Sequence, residues 1–271
     1  MINLIVPIHN EFPYLKRCFD SITRQMADDI RVILVDDHST DGSYDYARQR
    51  AGFEGWTMLQ TKLGEYGVSC ARNKGLEEID RINSYDEWVT FLDSDDELTP
   101  DAFDIMRKAI KKNPNSTWLQ FNHLRHYAAL GKTVKKYANR DGSFNIDNFR
   151  EAQCWWGAWN KLIKLRAIDY SFEERLTFGE DGVFVLEHLL NGARIKTINK
   201  ETVIHHFENP HSLTKSKTKE QLETLEKVHR KLLEYYAISE RPWQPIKAIV
   251  DIIEENRNNP TYKAIMGDSL F

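Results

Sequence analysis

The 271-residue sequence predicts an α/β fold in which a mostly parallel, Rossmann-like sheet is flanked by helices and followed by a C-terminal helical extension. Short runs of apolar, largely β-branched residues alternate with amphipathic helical patterns at intervals of about 25 to 35 residues, which is typical of βαβ units. Polar, mostly acidic clusters follow several of these runs, as expected where parallel strands end at a ligand site. The hydrophobic content of 41% and the charged content of 29% fit a globular chain with a sizeable core.

The first half of the chain shows the alternation most clearly. Residues 2–8 (INLIVPI) form a continuous apolar run, too short for a helix and typical of a central parallel strand buried on both faces. The plan then repeats, and a helix is expected to begin near Ser43 with Asp41 or Ser43 as its N-cap. The predicted strands here are residues 2–8, 30–35, 55–60 and 88–92, and the predicted helices are residues 14–22, a helix from Ser43, and residues 68–79.

The second half is less regular. We predict helices at residues 102–112, 147–152, 183–190 and 246–254 and from Thr218, strands at 118–124, 194–198 and 202–206, and a hairpin or loop at 132–145. Residues 1–214 are expected to form the α/β domain and residues 215–271 the helical extension. A leucine stripe in the extension is expected to dock on the domain. Dimerisation through these helices and contact of nearby lysines with an anionic acceptor or a membrane surface are the alternatives.

Composition narrows the class of protein. A net charge of −4 and a pI near 6.2 argue against a nucleic-acid footprint over the whole molecule. The three cysteines, Cys18, Cys70 and Cys154, are too few and too scattered for a disulfide framework or a zinc site. The N-terminal apolar run lacks a basic leader, and no window approaches the length of a transmembrane helix. A cytoplasmic protein is expected, with attachment to the inner membrane surface left open.

Four acids follow the predicted strand at residues 88–92, within positions 93–97. If the extended geometry persisted, Asp93 and Asp95 would share one face and would repel each other unless a cation lay between them. Paired carboxylates suit Mg²⁺ or Mn²⁺, particularly when phosphate oxygens complete the coordination. A solvated acidic turn is the simpler alternative. The polar residues 9–11 and 36–41 also follow strands, so three such clusters are expected at one edge of the sheet.

Six short motifs carry a resemblance to a known family. In chain order they are residues 6–11 (VPIHNE), 35–43 (VDDHSTDGS), 67 with 71–75 (G and ARNKG), 93–95 (DSD), 159–162 (WNKL) and 180–181 (ED). Together they resemble the nucleotide-sugar-dependent glycosyltransferases of family 2, which have the GT-A fold, and residues 93–95 resemble the DXD motif of that family. The resemblance spans roughly residues 2 to 214, and its strength lies in the order of the motifs rather than in any one of them.

The resemblance implies a nucleotide-sugar site at the strand ends. Asn10, Glu11 and Asp37 supply the donors and acceptors that a pyrimidine base and a ribose require, and the resemblance implies that Asp37 contacts uracil. Arg72 offers a charged fork that would orient an acid or meet a pyrophosphate, although a lone arginine is also a common surface charge. The complete predicted nucleotide-sugar set is Pro7, Asn10, Glu11, Asp37, Arg72, Asp93 and Ser94. Turn and capping chemistry is the favoured interpretation of Asp41 and Ser43.

A Mn²⁺ or Mg²⁺ cofactor is expected beside the donor. Asp95 is the predicted metal ligand, while Asp93 is assigned to ribose or to the surroundings of the ion. Asp96 is open between a third ligand and an acidic residue at a helix start. A late histidine is also expected near the metal and phosphates, and His206 is favoured over His205 and His211.

Asp181 is the predicted general base. In direct displacement the acceptor hydroxyl must lose a proton, and apolar surroundings raise the pKa of a carboxylate toward neutrality. The alternative is that Glu180 and Asp181 merely favour the N-terminus of the next helix. Glu180, Trp159, Asn160 and Lys161 are assigned to the acceptor side. Trp155 and Trp156 would form an aromatic wall there, or pack in the core.

The predicted protein is therefore an inverting, metal-dependent hexosyl- or N-acetylhexosaminyl-transferase. It would move a sugar from a nucleotide-sugar, most simply a UDP-sugar, to a hydroxyl of a glycan or a cell-surface polymer precursor. Three alternatives stay open. One is a non-catalytic sugar-nucleotide-binding module, and another is a nucleotidyltransferase, although residues 9–11 lack the basic glycine-rich loop of that chemistry. The last is a transferase that glycosylates modified DNA bases, which the acidic pI disfavours.

Overall fold

The computed structural model describes residues 1–82, 86–136, 142–146, 148, 157–207, 218–238, 250–252, 254, 258 and 259. The regular elements within them are β1 (Ile2–Ile8), α1 (Phe12–Thr23), β2 (Ile30–Asp36), α2 (Ser43–Glu54), β3 (Thr57–Gln60), α3 (Val68–Arg81), β4 (Trp88–Phe91), β5 (Glu97–Leu98), α4 (Ala102–Lys112), β6 (Trp118–Tyr127), β7 (Lys132–Lys136), β8 (Gly142–Phe144), β9 (Lys161–Lys164), α5 (Glu180–Leu190), β10 (Ile195–His206) and α6 (Lys219–Ile238).

The strands form one mixed sheet in the order β3-β2-β1-β4-β9-β6-β10-β5, with β7 added to β6 and β8 added to β10. Strand β1 pairs in parallel with both β2 and β4, β2 pairs in parallel with β3, and β6 pairs in parallel with β10. Strand β9 lies antiparallel between β4 and β6. Strands β1 to β4, β6 and β10 therefore run in one direction, and their carboxyl ends meet at one edge. The predicted α/β class with a mostly parallel sheet is confirmed.

Helices cover both faces of the sheet because its central strands are apolar on both sides. Leu4 and Val6 of β1 pack with α1, α2 and α4, whereas Ile5 packs with α3 on the other face. Helix α3 approaches β1 closely at Gly75, where an added Cβ would lie 2.7 Å from Cγ2 of Ile5. Only glycine fits this contact, so Gly75 fixes the depth of α3 against the sheet.

The second half of the chain differs most from the predictions. Strand β10 is continuous over the two strands predicted at 194–198 and 202–206, with register shifts where it pairs with β6. Strands β5 and β9 were not predicted, since both are short and gain their partners from distant segments. Helix α5 begins at Glu180 rather than at residue 183, so both acids of the 180–181 motif lie in its first turn.

Smaller differences concern the ends of elements. Helix α2 begins at Ser43 as predicted, but its N-cap is Gly42, with a φ of 96°, and not Asp41 or Ser43. Strand β3 begins at Thr57, two residues after its predicted start. The predicted helices at 147–152 and 246–254 fall mostly outside the described residues, and Cys154, Trp155, Trp156 and His211 lie wholly outside them.

Helix α6 belongs to the predicted C-terminal extension and lies against α5. Its Leu225 and Val228 pack with Leu176 and Val183. This contact is the docking expected from the leucine stripe, whereas the domain boundary at residue 214 stays a prediction. Over the part of the chain that the structure describes, no helix has the length and apolar character needed to cross a membrane.

Candidate active site

The loops that follow β1 and β2 are locked to each other at the carboxyl edge of the sheet. Asn10 donates its backbone N–H to Oγ of Ser39 at 3.0 Å, and its Oδ1 accepts the backbone N–H of Thr40 at 2.8 Å. Asn10 and His38 have φ values of 54° and 55°, in the region that asparagine tolerates better than most residues. Asn10 therefore shapes this end of the site through its backbone as well as its side chain.

Asp41 and Ser43 add further hydrogen bonds between the loops after β1 and β2. Oγ of Ser43 accepts the backbone N–H of Glu11 at 2.9 Å, while Oδ2 of Asp41 accepts the N–H of Phe12 at 3.0 Å and Oδ1 accepts the N–H of Ser43 at 2.9 Å. Burial raises the pKa of Asp41, but the hydrogen bonds from Ser43 and Phe12 outweigh it, and the pKa lies below its usual value. Both residues thus serve turn chemistry.

Asp37 fastens the segment after β3 to the end of β2. Its Oδ1 accepts the hydroxyl of Thr61 at 2.9 Å and its Oδ2 accepts the backbone N–H of Gly67 at 2.7 Å. The neighbouring Pro7 is buried and opposite Val35, and it lies beyond Ile5, the last residue of β1 that pairs with β4. A proline at that point costs no ladder hydrogen bond on the β4 side. Pro7 and Asp37 therefore lie together in the predicted nucleotide site.

The acids after β4 form a tight turn, and not the extended segment that the strand pattern would continue. Asp96 donates its backbone N–H to the carbonyl of Asp93 at 3.0 Å, so Asp93 and Asp95 do not share one face of a strand. Arg17 of α1 holds the turn by donating Nη2 to the carbonyl oxygen of Asp95 at 2.6 Å. Ser94 is 5% exposed. The turn places Asp93 and Asp95 next to the end of β1, where the donor site is predicted.

Asp96 links this turn to β10. It is fully buried, and its two carboxylate oxygens bond to the backbone N–H of His206 at 2.8 Å and to Nδ1 of His205 at 3.0 Å. Burial raises the pKa of Asp96, although His205 opposes it. Because α4 begins only at Ala102, Asp96 is not a helix-start residue, and its two oxygens both hold β10.

The two histidines at the end of β10 point to different partners. Nε2 of His206 lies 2.7 Å from Oε1 of Glu97, and the side chain of His206 is 8% exposed. The ring of His205 stacks on Trp159 at 5.7 Å, and its side chain is 22% exposed. Burial lowers the pKa of His205, but the hydrogen bond and charge of Asp96 outweigh this and the pKa lies above its usual value.

Arg72 of α3 is the centre of the site. Nη1 donates to Oδ1 of Asp181 at 2.7 Å and to Oε1 of Glu180 at 2.9 Å, while Nη2 donates to Oδ1 of Asp93 at 2.9 Å. The guanidinium is 2% exposed, so these are charge-assisted bonds in a largely dry setting. Arg72 thus joins the DXD segment to the predicted base, although 88 residues separate Asp93 from Asp181 in the chain.

Asn73, the residue after Arg72, holds Phe172, whose ring packs against the guanidinium of Arg72. Asn73 donates Nδ2 to the carbonyl of Phe172 at 2.9 Å and accepts the backbone N–H of Phe172 at 2.8 Å. The ring of Phe172 lies 5.2 Å from the guanidinium carbon of Arg72 and stacks on Phe184 at 4.1 Å. The role of Asn73 was not predicted from the sequence. Its place inside the 71–75 motif was the only signal, because its partner lies 99 residues away.

Asp181 is a largely buried carboxylate that keeps some solvent access and has a raised pKa. Its Oδ2 accepts the backbone N–H of Ala158 at 3.1 Å, and its side chain keeps 18% exposure. Burial raises the pKa of Asp181 to about 7, partly opposed by Arg72 and reinforced by the charges of Glu180 and Asp93. Three carboxylates share a single guanidinium, so the cluster cannot be neutral with all of them ionised.

The residues assigned to the acceptor side are largely buried. Trp159 is 5% exposed, and Asn160 donates Nδ2 to the carbonyl of Phe121 at 3.0 Å. Lys161 is fully buried and donates Nζ to the carbonyl of Gly157 at 2.7 Å. These contacts hold the turn at 157–161 from which Ala158 reaches Asp181. The structure therefore brings these residues to the base, and their contact with an acceptor stays a prediction.

The acidic turn also has a donor set that fits a divalent cation bound together with phosphate. Among the described residues, no three His, Cys, Asp or Glu side chains are grouped to hold a metal by themselves. Mg²⁺ and Mn²⁺, however, are commonly held by one or two carboxylates, with substrate phosphates and water completing the shell. The oxygens of Asp95, beside Asp93 in the turn, match that requirement in chemistry.

The sequence is similar to known glycosyltransferases. The family described as Glycosyl transferase family 2 matches residues 3–123. The uncharacterized glycosyltransferase EpsJ of Bacillus subtilis is 25% identical over 250 residues, covering 87% of this chain and 70% of EpsJ. Glycosyltransferase GlyA of Streptococcus pneumoniae is 29% identical over 210 residues, covering 73% of this chain. The chain spans only 29% of the length of GlyA through this match.

Solved structures share the fold. S. aureus TarS residues 1–349 in complex with UDP-GlcNAc superposes with a TM-score of 0.73 at 19% identity, covering 95% of this chain and 71% of that one. The mannosyltransferase PcManGT from Pyrobaculum calidifontis, in complex with GDP-Man and Mn²⁺, gives a TM-score of 0.61 at 16% identity, covering 98% of this chain and 71% of that one. At these identities the similarity shows a GT-A-like fold and nothing finer.

Proposed function

Because the chain belongs to glycosyl transferase family 2, as a nucleotide-sugar-dependent enzyme, we propose that it transfers a sugar from a UDP-sugar to an acceptor hydroxyl with inversion of the anomeric centre. The observation that carries the proposal is the convergence of Asp93, Glu180 and Asp181 on the buried guanidinium of Arg72. This arrangement joins an acid of the DXD segment to a carboxylate with a raised pKa, as a single-displacement transfer requires.

Asp181 acts as the general base. The acceptor hydroxyl gives its proton to the carboxylate while its oxygen forms a bond to the anomeric carbon, and the bond from that carbon to the diphosphate breaks on the opposite face. Since burial raises the pKa of Asp181 to about 7, a substantial fraction is ionised at neutral pH and is also basic enough to accept a proton. Arg72 and the N–H of Ala158 fix the two oxygens of Asp181.

The donor nucleotide binds at the ends of β1 and β2. Pro7, Asn10, Glu11 and Asp37 lie in the locked loops there, and Asp93 and Ser94 lie in the adjoining turn. Crystal structures of TarS with UDP and with UDP-GlcNAc support a uridine nucleotide. A GDP-sugar is the alternative to exclude, since PcManGT was solved with GDP-Man.

A Mn²⁺ or Mg²⁺ ion belongs to the donor side, with Asp95 as its carboxylate ligand and a histidine of β10 beside it. The sequence favours His206, and His205, whose side chain is the more exposed of the two, is the alternative. A bound divalent ion stabilises the negative charge of the departing diphosphate. The Mn²⁺ in the PcManGT structure supports this cofactor class.

The acceptor approaches from the side of Asp181 that keeps solvent access. Glu180 lies beside Asp181. The buried turn with Trp159, Asn160 and Lys161 packs behind Asp181, which it contacts through the backbone N–H of Ala158. We propose a glycan or a cell-surface polymer precursor as the acceptor, with the transfer taking place at the cytoplasmic side of the membrane. A poly(ribitol-phosphate) beta-glucosyltransferase of Bacillus spizizenii, 24% identical over 200 residues, supports the polymer class.

A donor panel tests the proposal. Hydrolysis of UDP-Glc, UDP-GlcNAc, UDP-Gal and GDP-Man is measured with Mn²⁺, with Mg²⁺ and with EDTA. The assay compares the wild type with Asp95→Ala, Asp181→Asn and Asp45→Asn. We expect UDP-sugar turnover to fall by about 10²-fold or more in Asp181→Asn, the usual contribution of a general base. Asp95→Ala should lose the response to metal. Asp45 is an exposed residue of α2, so Asp45→Asn is the matched control and should behave as wild type.

Two outcomes contradict the proposal. Wild-type turnover in Asp181→Asn removes the assigned base. UDP binding by the wild type without turnover of any donor, in the presence of either metal, favours the non-catalytic sugar-nucleotide-binding module instead. The anomeric configuration of the released product, read by NMR, separates inversion from retention.

A further inference from the structure

The segment that carries the base is supported from behind by the C-terminal helix. Gly179 precedes Glu180 and Asp181, has a φ of 78°, and is the N-cap of α5. A Cβ added to Gly179 would lie 2.9 Å from Cδ2 and 3.1 Å from Cδ1 of Leu225 in α6. Gly179 thus needs glycine for its backbone conformation, and Leu225 packs directly against the position that a side chain would occupy there.

Gly179 is the point at which α5 starts. Its carbonyl accepts the backbone N–H of Val183 at 3.1 Å, the first hydrogen bond of the helix. A shift of Gly179 therefore moves the first turn, and with it the Cα atoms of Glu180 and Asp181. Arg72 and the N–H of Ala158 hold the carboxylate of Asp181, whereas the backbone of the first turn is positioned by the core packing of Phe184 and by the packing of α6 on Gly179 and Val183.

Helix α6 contacts the residues before and after Gly179. Nε2 of Gln221 donates to the hydroxyl of Thr177 at 3.1 Å. Leu225 and Val228 also pack with Leu176, before the glycine, and with Val183, after it. Leu225 itself is 7% exposed. The contacts hold the chain before and after Gly179, so α6 fastens the segment from residue 176 to residue 183 as a unit.

We infer that Leu225 of α6 is a positioning residue of the active site, which sets the place of the base Asp181 through its contact with Gly179. The inference rests on the proposed function, since it requires Asp181 to be the base. It extends the active site into a helix that begins nearly 100 residues beyond the end of the family match at residue 123. Leu225 packs against the segment at residues 176–183 and not against the donor loops of β1 and β2, so its effect falls on the transfer step rather than on donor binding.

The test compares Leu225→Ala with Leu233→Ala. Leu233 lies on the same helix but packs with Leu186 and Leu190 at the far end of α5, so its truncation weakens the same helix pair away from the base. We expect kcat of Leu225→Ala to fall about tenfold, within the range that a small misplacement of a catalytic group produces. The KM for the UDP-sugar should stay unchanged, and Leu225→Met should restore most of kcat. Leu233→Ala should keep wild-type kcat although its Tm falls.

Two further measurements separate positioning from a general loss of stability. Loosening the contact admits water to Asp181, so the acid limb of the kcat–pH profile should move to lower pH in Leu225→Ala and stay in place in Leu233→Ala. Gly179→Ala should lower kcat as well, and the double variant Gly179→Ala/Leu225→Ala should fall by less than the product of the two single effects, because both changes disturb one contact.

Asp181→Asn in the same assay tells apart the two ways of failing. If Asp181→Asn keeps wild-type kcat, the proposed function itself is wrong. If Asp181→Asn loses activity while Leu225→Ala and Leu233→Ala lose kcat equally, or neither loses it, Asp181 remains the base and the positioning role of Leu225 is overturned.

Discussion

The two ends of the candidate site are built in different ways. At the nucleotide end, Asp37 binds Thr61 and Gly67, and Asn10 binds Ser39 and Thr40. These partners lie 24 to 30 residues apart in the chain and belong to consecutive βα loops. The acids and amides there bond chiefly to backbone N–H groups and hydroxyls, so each is satisfied by its own or a neighbouring loop.

At the base end, the contacts come from distant parts of the chain and involve charge. Arg72 and Asp181 lie 109 residues apart, and Ala158 and Asp181 lie 23 apart on different elements. A single buried cation is surrounded by three acids, and burial together with the neighbouring acids raises the pKa of Asp181, whereas the hydrogen bonds at the nucleotide end lower the pKa of Asp41. Under the proposed function, the first end binds the nucleotide, while the excess of acids at the second end contributes to the raised pKa of the proposed base.

The largest expected effect comes from removing the shared cation. Arg72→Met leaves three carboxylates around an apolar side chain, and breaking a buried ion pair in this way typically costs about 3–5 kcal/mol of unfolding free energy. We expect donor turnover below detection and a free energy of unfolding lower by that amount, measured by urea titration with circular dichroism. UDP binding should fall less than turnover in the folded fraction, because Asp93 loses its ion pair with Arg72 while Asp37 and Asn10 keep their own partners.

Arg81→Met is the matched control, since Arg81 is an exposed arginine on the same helix and pairs with Glu78. Its unfolding free energy should stay within about 0.5 kcal/mol of the wild type, as for most surface substitutions. Equal losses in Arg72→Met and Arg81→Met would contradict the role of Arg72 as the cation that holds the base end together.

The difference between the two ends also explains how far the sequence could predict the structure. The nucleotide end followed from local signals: an apolar run marks each strand, and the polar residues directly after it must lie at the carboxyl edge. Asp37, Asn10 and Asp93 were placed correctly at that edge by this argument. The turn that contains Asp93 and Asp95 was one of two alternatives, beside continued extended backbone, because a strand pattern does not show where extended backbone stops.

The base end was predicted only in part. Motif order singled out Arg72 and Asp181 without showing that they touch, since nothing local in the sequence encodes a contact across 109 residues. The roles of Asn73 and Leu225 escaped prediction for the same reason. The sequence did not show that Lys161 is fully buried. Its ammonium donates to the carbonyl of Gly157, and a lysine's letter alone does not reveal such a partner.

A smaller effect is expected from the nucleotide end. Asp37→Asn replaces a carboxylate by an amide beside the N–H of Gly67 and the hydroxyl of Thr61, so one charge-assisted bond is lost. Such a loss is typically about 1.5 kcal/mol or somewhat more, equivalent to at least a tenfold change in affinity. We therefore expect the KM for the UDP-sugar to rise about tenfold, with kcat within twofold of the wild type, in steady-state assays of UDP-sugar hydrolysis.

Thr61→Val serves as the companion variant, because it removes only the neutral partner of Asp37 and should raise the KM for the donor by less. A fall in kcat with an unchanged donor KM in Asp37→Asn would show that this end does more than hold the nucleotide. The division of roles between the two ends would then be wrong.

The smallest effect concerns pH. The charge of Glu180 is one cause of the raised pKa of Asp181, after burial and against the opposing effect of Arg72. Glu180→Gln removes that charge and keeps the side-chain shape, so the pKa of Asp181 should fall. Because the base must be ionised, kcat rises with pH through this pKa, and the acid limb of the kcat–pH profile should move to lower pH by a fraction of a unit. Activity at pH 6 relative to pH 8 should therefore increase.

Glu187→Gln is the control that isolates the base. Burial raises the pKa of Glu187, also on α5, to about 7, with a further contribution from the charge of Glu173. A carboxyl whose folded-state pKa exceeds its ordinary value binds extra protons in the native state, so the free energy of unfolding falls as pH rises from about 4 to about 7. Asp181 and Glu187 both contribute to that slope, and Glu187→Gln should flatten it. Only Glu180→Gln should move the acid limb of kcat, because Asp181, and not Glu187, is the proposed general base.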